Sequence, residues 1–267
     1  MSKAGLEGMQ LATEQIVTVA KSLSADEWAL PSAAEGWSVH DVVAHAGNLL
    51  TVVMQAVAGE LVTPDGMGIE KLNDVQVGEA KAKTPEELID FLEAQLAKAI
   101  PAFTPLQDEP YYSMEAALLD LGTYQLHAVV DMFTFDFTTH LRFDILAPRG
   151  PVTRDMDPLG EAILGPAMSW LLGGIPKMQK DLWTHLDGPV GLVLTGPAAT
   201  SVVLSPADGG IVITDMDKES SSPLATVSSP TSDFLAWSTT RLPWRESVTI
   251  QGDETVAGHF FDALNLT

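Results

Sequence analysis

The chain has 267 residues, 46 % of them hydrophobic, and its 36 acidic residues against 14 Lys and Arg give a formal net charge of −22. That balance argues against nonspecific binding to a nucleic-acid backbone, which needs clustered cations. The sequence contains no cysteine, which excludes a disulfide framework, a thiolate zinc site and a cysteine nucleophile, so any thiol chemistry must bring its thiol from outside.

The length exceeds the ~100–150 residues of a typical domain, so two domains are expected. No continuous apolar run approaches the ~18 residues of a membrane span. The opening MSKAGLEGMQ carries Glu7 and no apolar h-region, and the expected location is the cytoplasm.

Leu6, Met9, Ile16 and Val19 predict a first helix from about Ala4 to Ser22, and SADEWALPSAAEG, with Pro31 and Gly36, breaks it. Ser38 then reads as an N-cap with Asp41 at the capping-box position. In the helix that follows, Val39, Val42, Val43, Ala46, Leu49, Leu50 and Val53 form a broad apolar face with His45 beside it. GELVTPDGMG reads as a turn-rich connection. Thr84, Pro85 and Glu87 supply an N-cap, a proline at N1 and an acid at N3 for a helix through about Ile100. Pro101, Pro105 and Pro110 bracket a loop, and Met114–Ile145 reads as carrying a last long helix. Four principal helices fit a bundle with ligands projecting inward.

LAPRGPV, with Pro148, Gly150 and Pro151, reads as the link between a domain of residues 1–147 and one of residues 152–267. Helical spacing from Leu159 to Leu172, GGIP and a short helix to about Trp183 precede a change of period. Strands are expected at Val190–Leu194, Ser201–Leu204, Ile211–Thr214, Ala225–Ser228 and Val248–Ile250, with Glu219–Ser222 as a mobile turn. Thr231 or Ser232 is expected to cap a helix containing Phe234, Leu235 and Trp237, and Asp253 to cap the last one. This half reads as α+β, mostly antiparallel.

The chemistry concentrates in FTFDFTTHLRFD, where Asp136, His140 and Asp144 stand four residues apart and share one helix face. A carboxylate and an imidazole so spaced can reach one metal ion, but a catalytic zinc needs a third ligand. His45 is the best candidate, against the plainer reading of a buried histidine bonded to a carbonyl. A second pair, His127 and Asp131, sits some two and a half turns earlier, ~14 Å along the axis at 1.5 Å per residue, so it cannot share that ion. It reads as an interhelical hydrogen bond, and His40 and His185 read as facing solvent or loops. No GxSxG, P-loop, GxGxxG or HExxH pattern competes.

EGWSVHDVVAHAGNLL followed by DFTTHLRFDI resembles the mycothiol-dependent maleylpyruvate isomerase family, and TSDFLAWSTTRLPWRESVTIQGDETVAGHFFDALNL is similar to its second domain. The resemblance implies a DinB-like four-helix bundle followed by a smaller α+β sterol-carrier-like domain. It also implies a divalent metal, usually zinc, on His45, Asp136 and His140, mycothiol as the thiol, and a substrate contact at Arg241. The chain departs from the family in having Asp136 for the commoner Glu, Asp144 four rather than three residues after His140, and Thr240 for the glycine before Arg241.

Two imidazoles and one carboxylate leave an open metal position at which a thiol would be deprotonated and could add to an electrophile, giving S-transfer or, after rotation and elimination, cis–trans isomerisation. The function expected is a metal- and thiol-dependent transferase or isomerase acting on a small electrophilic substrate. Two other readings fit the same residues: a non-catalytic small-molecule or lipid binder with a vestigial metal site, and a metalloenzyme using bound water as nucleophile.

Overall fold

Residues 3–218 and 222–266 are described by a computed structural model of the chain, which divides between Pro158 and Leu159 into two compact units. The expected mobile turn at Glu219–Ser222 falls largely outside the described residues.

The first unit is helical. Helix α1 spans Ala4–Ser22, and a short α2, Ala25–Trp28, follows it with a capping box between Ser24 and Glu27. Helix α3, Val39–Ala58, starts at the Ser38–Asp41 capping box and ends on Gly59, whose φ of 73° gives the left-handed C-cap that glycine adopts without strain. Helix α4 covers Ile69–Ala80 and α5 covers Pro85–Phe103, the latter opened by a Thr84–Glu87 capping box. A two-stranded hairpin, β1 Glu115–Ala117 with β2 Thr123–Gln125, precedes α6, Val129–Thr139, which runs on into a π-helical turn at His140–Ile145.

Three expectations need correction here. Helix α4 follows the GELVTPDGMG connection, in a stretch for which no element was expected. Its N-cap residue, Gly68, has no side chain, and the Ile69 N–H instead donates to Asp120 Oδ1 at 2.8 Å from far along the chain, so no local cap signal exists. The last helix begins at Val129, because residues 115–125 form the hairpin that Gly122, at φ 108°, helps to reverse. Helix α5 continues past Pro101 to Phe103.

Helix α1 packs on α5 and α6, and α3 packs on α4 and α5. At the α3–α5 crossing a Cβ on Gly47 would run into the Phe91 ring, so glycine sets that close approach. Met9, Ile16, Leu50, Leu88, Leu92, Phe103, Phe133, Phe137 and Leu141 are essentially removed from solvent, each worth ~1.5–3 kcal/mol of burial. Among the described residues α3 alone is long and apolar enough to cross a membrane, but most of it is buried within the bundle.

The stretch expected as a link is folded onto the π-helical turn that ends α6, where Leu146 pairs with Val152 in a parallel bridge. Beyond it, Arg154 forks onto both Glu27 carboxylate oxygens at 2.9 and 2.8 Å and donates to the Ser22 carbonyl. That pair holds the Glu27 carboxyl down at about 2.

The second unit opens with α7, Glu161–Gly174, and then only turns and a 3-10 segment, Leu182–His185, where a second helix was expected. Strands β3 Val190–Thr195, β4 Thr200–Ala207, β5 Gly210–Asp215, β6 Ala225–Pro230 and β7 Thr249–Gly252 form one sheet in the order β5-β4-β3-β6-β7. Every pairing is antiparallel except the central β3–β6 pair. Helices α8, Thr231–Trp237, and α9, Glu254–Phe261, pack on β6 around Phe234, Trp237, Phe260 and Phe261. Asp253 caps α9 as expected, accepting from Thr255 N–H and Val256 N–H. Helix α8 has no side-chain cap: the Thr231 hydroxyl donates to the Pro197 carbonyl at 2.6 Å and so secures the β3–β4 turn.

Candidate metal centre

The capping box that fixes the start of α3 also fixes the angle of its inner face, and His45, two turns along, lands 2 % exposed among apolar neighbours. Helix α6 presents Asp136, and the π turn that continues it begins with His140. His45 Nε2 lies 3.1 Å from Asp136 Oδ2, and His140 Nε2 lies 3.7 Å from Asp136 Oδ1. One potential ligand atom from each of the three residues falls within 4.8 Å of the other two, the one such group among the described residues. His140 and Asp136 keep 15 % and 21 % of their side-chain surface, so the group meets solvent from their side while His45 forms its floor.

His140 Nδ1 is committed elsewhere, donating to Asp144 Oδ2 at 2.8 Å. A carboxylate can only accept there, so in the neutral ring the proton sits on Nδ1 and the lone pair on Nε2, which points toward another acceptor, Asp136 Oδ1. Two acceptors so placed repel unless a proton or a metal cation lies between them. The donor set, two imidazoles and a carboxylate, therefore suits a divalent ion with a further position left for a ligand.

Trp37, from the turn before Ser38, closes one side. Its ring stacks on His140 at 5.9 Å between centroids and leans on His45 at 5.0 Å, and its Nε1 donates to Asp74 Oδ1 of α4 at 3.1 Å. The sequence reading missed its part, although Trp37 stands inside the quoted GWSVHD motif. Asp144, expected only to share a helix face with His140, is completely buried beneath it. Its other oxygen accepts from the Arg149 guanidinium, a residue for which sequence spacing gave no signal.

The competing pair is not brought to this site. His127 precedes α6, its ring lies flat on Tyr112 at 3.8 Å and 2°, and its Nδ1 bonds the Tyr112 carbonyl at 2.9 Å. Asp131 packs where a Cβ on Gly5 of α1 would meet it, and burial pushes its carboxyl up to about 7. His40 bonds the Lys83 carbonyl at 2.9 Å, and His185 meets His259 edge-on at 5.1 Å.

In the second unit Arg241 follows Thr240, whose φ of 58° is the left-handed conformation a glycine would take freely and a β-branched residue adopts under strain. Arg241 N–H donates to the Ala236 carbonyl at 2.9 Å. The ring of Trp244 is covered by Arg245 at 4.6 Å, and Arg245 also pairs with Asp262 at 2.7 Å.

Residues 9–112 match the family model described as the mycothiol maleylpyruvate isomerase N-terminal domain. Two solved structures share the fold. The crystal structure of the mycothiol-dependent maleylpyruvate isomerase has a TM-score of 0.57 at 21 % identity, covering 94 % of this chain and 96 % of that one. That of its histidine-to-alanine mutant has a TM-score of 0.57 at 20 % identity over the same shares. No curated protein matches the chain. The first unit thus matches the mycothiol maleylpyruvate isomerase N-terminal domain over residues 9–112, and the chain carries the fold of the mycothiol-dependent maleylpyruvate isomerase along nearly its whole length.

Proposed function

We propose that the protein is a divalent-metal-dependent thiol transferase or isomerase, with zinc on His45, Asp136 and His140, that uses mycothiol or a similar small thiol against a small electrophilic substrate. The helical first domain binds the metal and the α+β second domain is the sterol-carrier-like part. The observation that carries this reading is the group of three ligand atoms within 4.8 Å, two of them facing each other as acceptors. When bound, a divalent ion supplies positive charge that lowers the pKa of a coordinated thiol. His45 and Asp136 set the depth at which ligands sit, Asp144 holds the His140 proton on Nδ1, and the Trp37 ring excludes water from one side. The likeness to the mycothiol-dependent maleylpyruvate isomerase supports the choice of thiol.

The test is metal content and thiol binding together. Purified protein is expected to hold about one divalent ion per chain, to lose it with His45→Ala plus His140→Ala, and to convert a maleyl-type substrate only with thiol present. Full stoichiometry in the double variant under chelator competition would show the assignment to be wrong. Metal retained with no thiol-dependent turnover would favour the binding-module reading.

Arg241 is assigned to substrate, because its rigid fork of donors matches a carboxylate. Arg241→Ala is expected to leave metal content unchanged and to weaken thiol or substrate binding by about 1.5–3 kcal/mol, the worth of a charge-assisted hydrogen bond. Unaltered affinity in calorimetry would confine the site to the first domain.

A further inference from the structure

Asp144 is fully buried, yet its two carboxylate oxygens go to different partners, Oδ2 to the His140 ring and Oδ1 to the Arg149 guanidinium. We infer that Arg149 is a positioning residue of the metal centre, holding Asp144 so that the His140 imidazole keeps its proton on Nδ1 and turns Nε2 toward Asp136 and His45. This role presupposes the metal reading above and extends it to a residue beyond the ligand helix that touches no ligand atom in that group.

Two features bring Arg149 to Asp144. The π turn His140–Ile145 closes the helix with both members of the His140–Asp144 pair inside it, and its last carbonyls are met by the returning chain. Leu146 N–H donates to Leu141 O at 3.0 Å, Gly150 N–H to Leu146 O at 2.8 Å, and Val152 N–H to Ile145 O at 3.0 Å. A Cβ on Gly150 would overlap the Ile145 carbonyl and the Asp144 oxygen, so only glycine lets this strap lie flat against the turn. The strap delivers Arg149, which also reaches the Phe143 carbonyl at 3.4 Å. From the other side, Ala33 N–H donates to the Asp144 carbonyl at 2.8 Å, from the same loop that carries Trp37.

The Arg149 side chain is 36 % exposed while its partner is not exposed at all. Such a pair adds little net stability, since burying the carboxylate costs about what the attraction returns, although truncating the arginine alone strands that carboxylate. It is well suited to orientation, because the Arg149 nitrogen that meets Asp144 Oδ1 also donates to the Phe143 carbonyl, and fixing one carboxylate oxygen sets the direction of the other. Outer partners of metal-bound histidines change metal affinity by 10- to 100-fold without touching the ion.

The test reads His140 directly. Long-range nitrogen–proton NMR of the metal-free protein is expected to show His140 with its proton on Nδ1, and Arg149→Ala to lose that single form while His45 signals stay in place. Metal affinity should fall roughly 10- to 100-fold with stoichiometry kept, and Arg149→Lys should recover part of it. Arg154→Ala, which removes the comparable pair with Glu27, is expected to lower the melting temperature without changing His140. If Arg149→Ala keeps both the His140 pattern and the wild-type affinity, or if Arg154→Ala alters His140 equally, the positioning role is wrong. Should the alanine variant not fold, Arg149→Gln is read by the same two measurements. A wild type that binds no metal would overturn the proposed function, and the NMR pattern of the metal-free protein would still decide the part played by Arg149.

Discussion

The end of the bundle's last helix and its beginning carry the same two residue types at the same spacing, yet they do different work. His140 with Asp136 opens onto a third residue from α3, and the ring nitrogen not facing the group is committed to Asp144. His127 with Asp131 meets no third ligand residue among the described residues: the ring is pressed on Tyr112 with Nδ1 bonded to a carbonyl, and the acid is enclosed against α1. The lesson is that spacing places two side chains, while the residues that other helices bring beside them decide whether a ligand group forms. Asp131 shows the cost of enclosure, a carboxyl raised to about 7, where Asp136 has two imidazoles beside it.

The largest effect that separates the two ends is loss of metal. His140→Ala should abolish binding, and His127→Ala should leave one ion per chain, both measured by metal content after dialysis. Equal losses in the two variants would erase the distinction between the pairs.

Next in size is a pH effect confined to the early pair. The Asp131 carboxyl is raised from 3.8 to about 7 by burial. Below about pH 4 it is neutral in both folded and unfolded chains, so its stability contribution is fully present. As pH climbs, the unfolded chain ionises first, and that contribution is lost progressively until about pH 7. Asp131→Asn should remove this slope, making the variant more stable than wild type at pH 7 by on the order of a few kcal/mol, with no gain near pH 4. Denaturant unfolding at the two pH values measures it, and a constant difference across the range would contradict the enclosure of Asp131.

Much of this architecture was legible in the chain. Ser38 with Asp41 and Thr84 with Glu87 announced α3 and α5 because caps are local chemistry, and the His45, Asp136 and His140 group followed from spacing plus resemblance. What escaped depends on contacts distant in sequence or on backbone shape. Helix α4 takes its cap from Asp120, and the hairpin before α6 shows no period long enough to separate it from helix. Arg149 sits in a proline- and glycine-rich stretch that reads as a linker, and only the π turn beneath it reveals why Gly150 must lack a side chain. Thr240 hides its left-handed backbone behind a residue type that rarely adopts it.

A smaller effect distinguishes charge from reach at Asp136. Asp136→Asn keeps the shape and removes the negative charge, and metal affinity should fall by about 10- to 100-fold, ~1.4–2.8 kcal/mol. Asp136→Glu should keep or raise it, since one more methylene lets the oxygen approach from the same turn. Three equal affinities by competition titration would remove Asp136 from the ligand set.

The smallest effect tests whether the early pair is independent of the late one. His127 contributes ring contact with Tyr112 and one hydrogen bond to its carbonyl, both partly open to water. Each such interaction is worth about 1 kcal/mol. His127→Phe keeps the flat ring and loses the bond, so it should destabilise the chain by about 1 kcal/mol, and His127→Ala should cost more because it loses both. Neither should change metal affinity, since the Tyr112 contact lies at the other end of α6 and the His140 ring is held by Asp144. If His127→Phe weakens metal binding as well as stability, the two ends of the helix respond as one unit, and the fate of each pair is set by the whole helix rather than by its immediate partners.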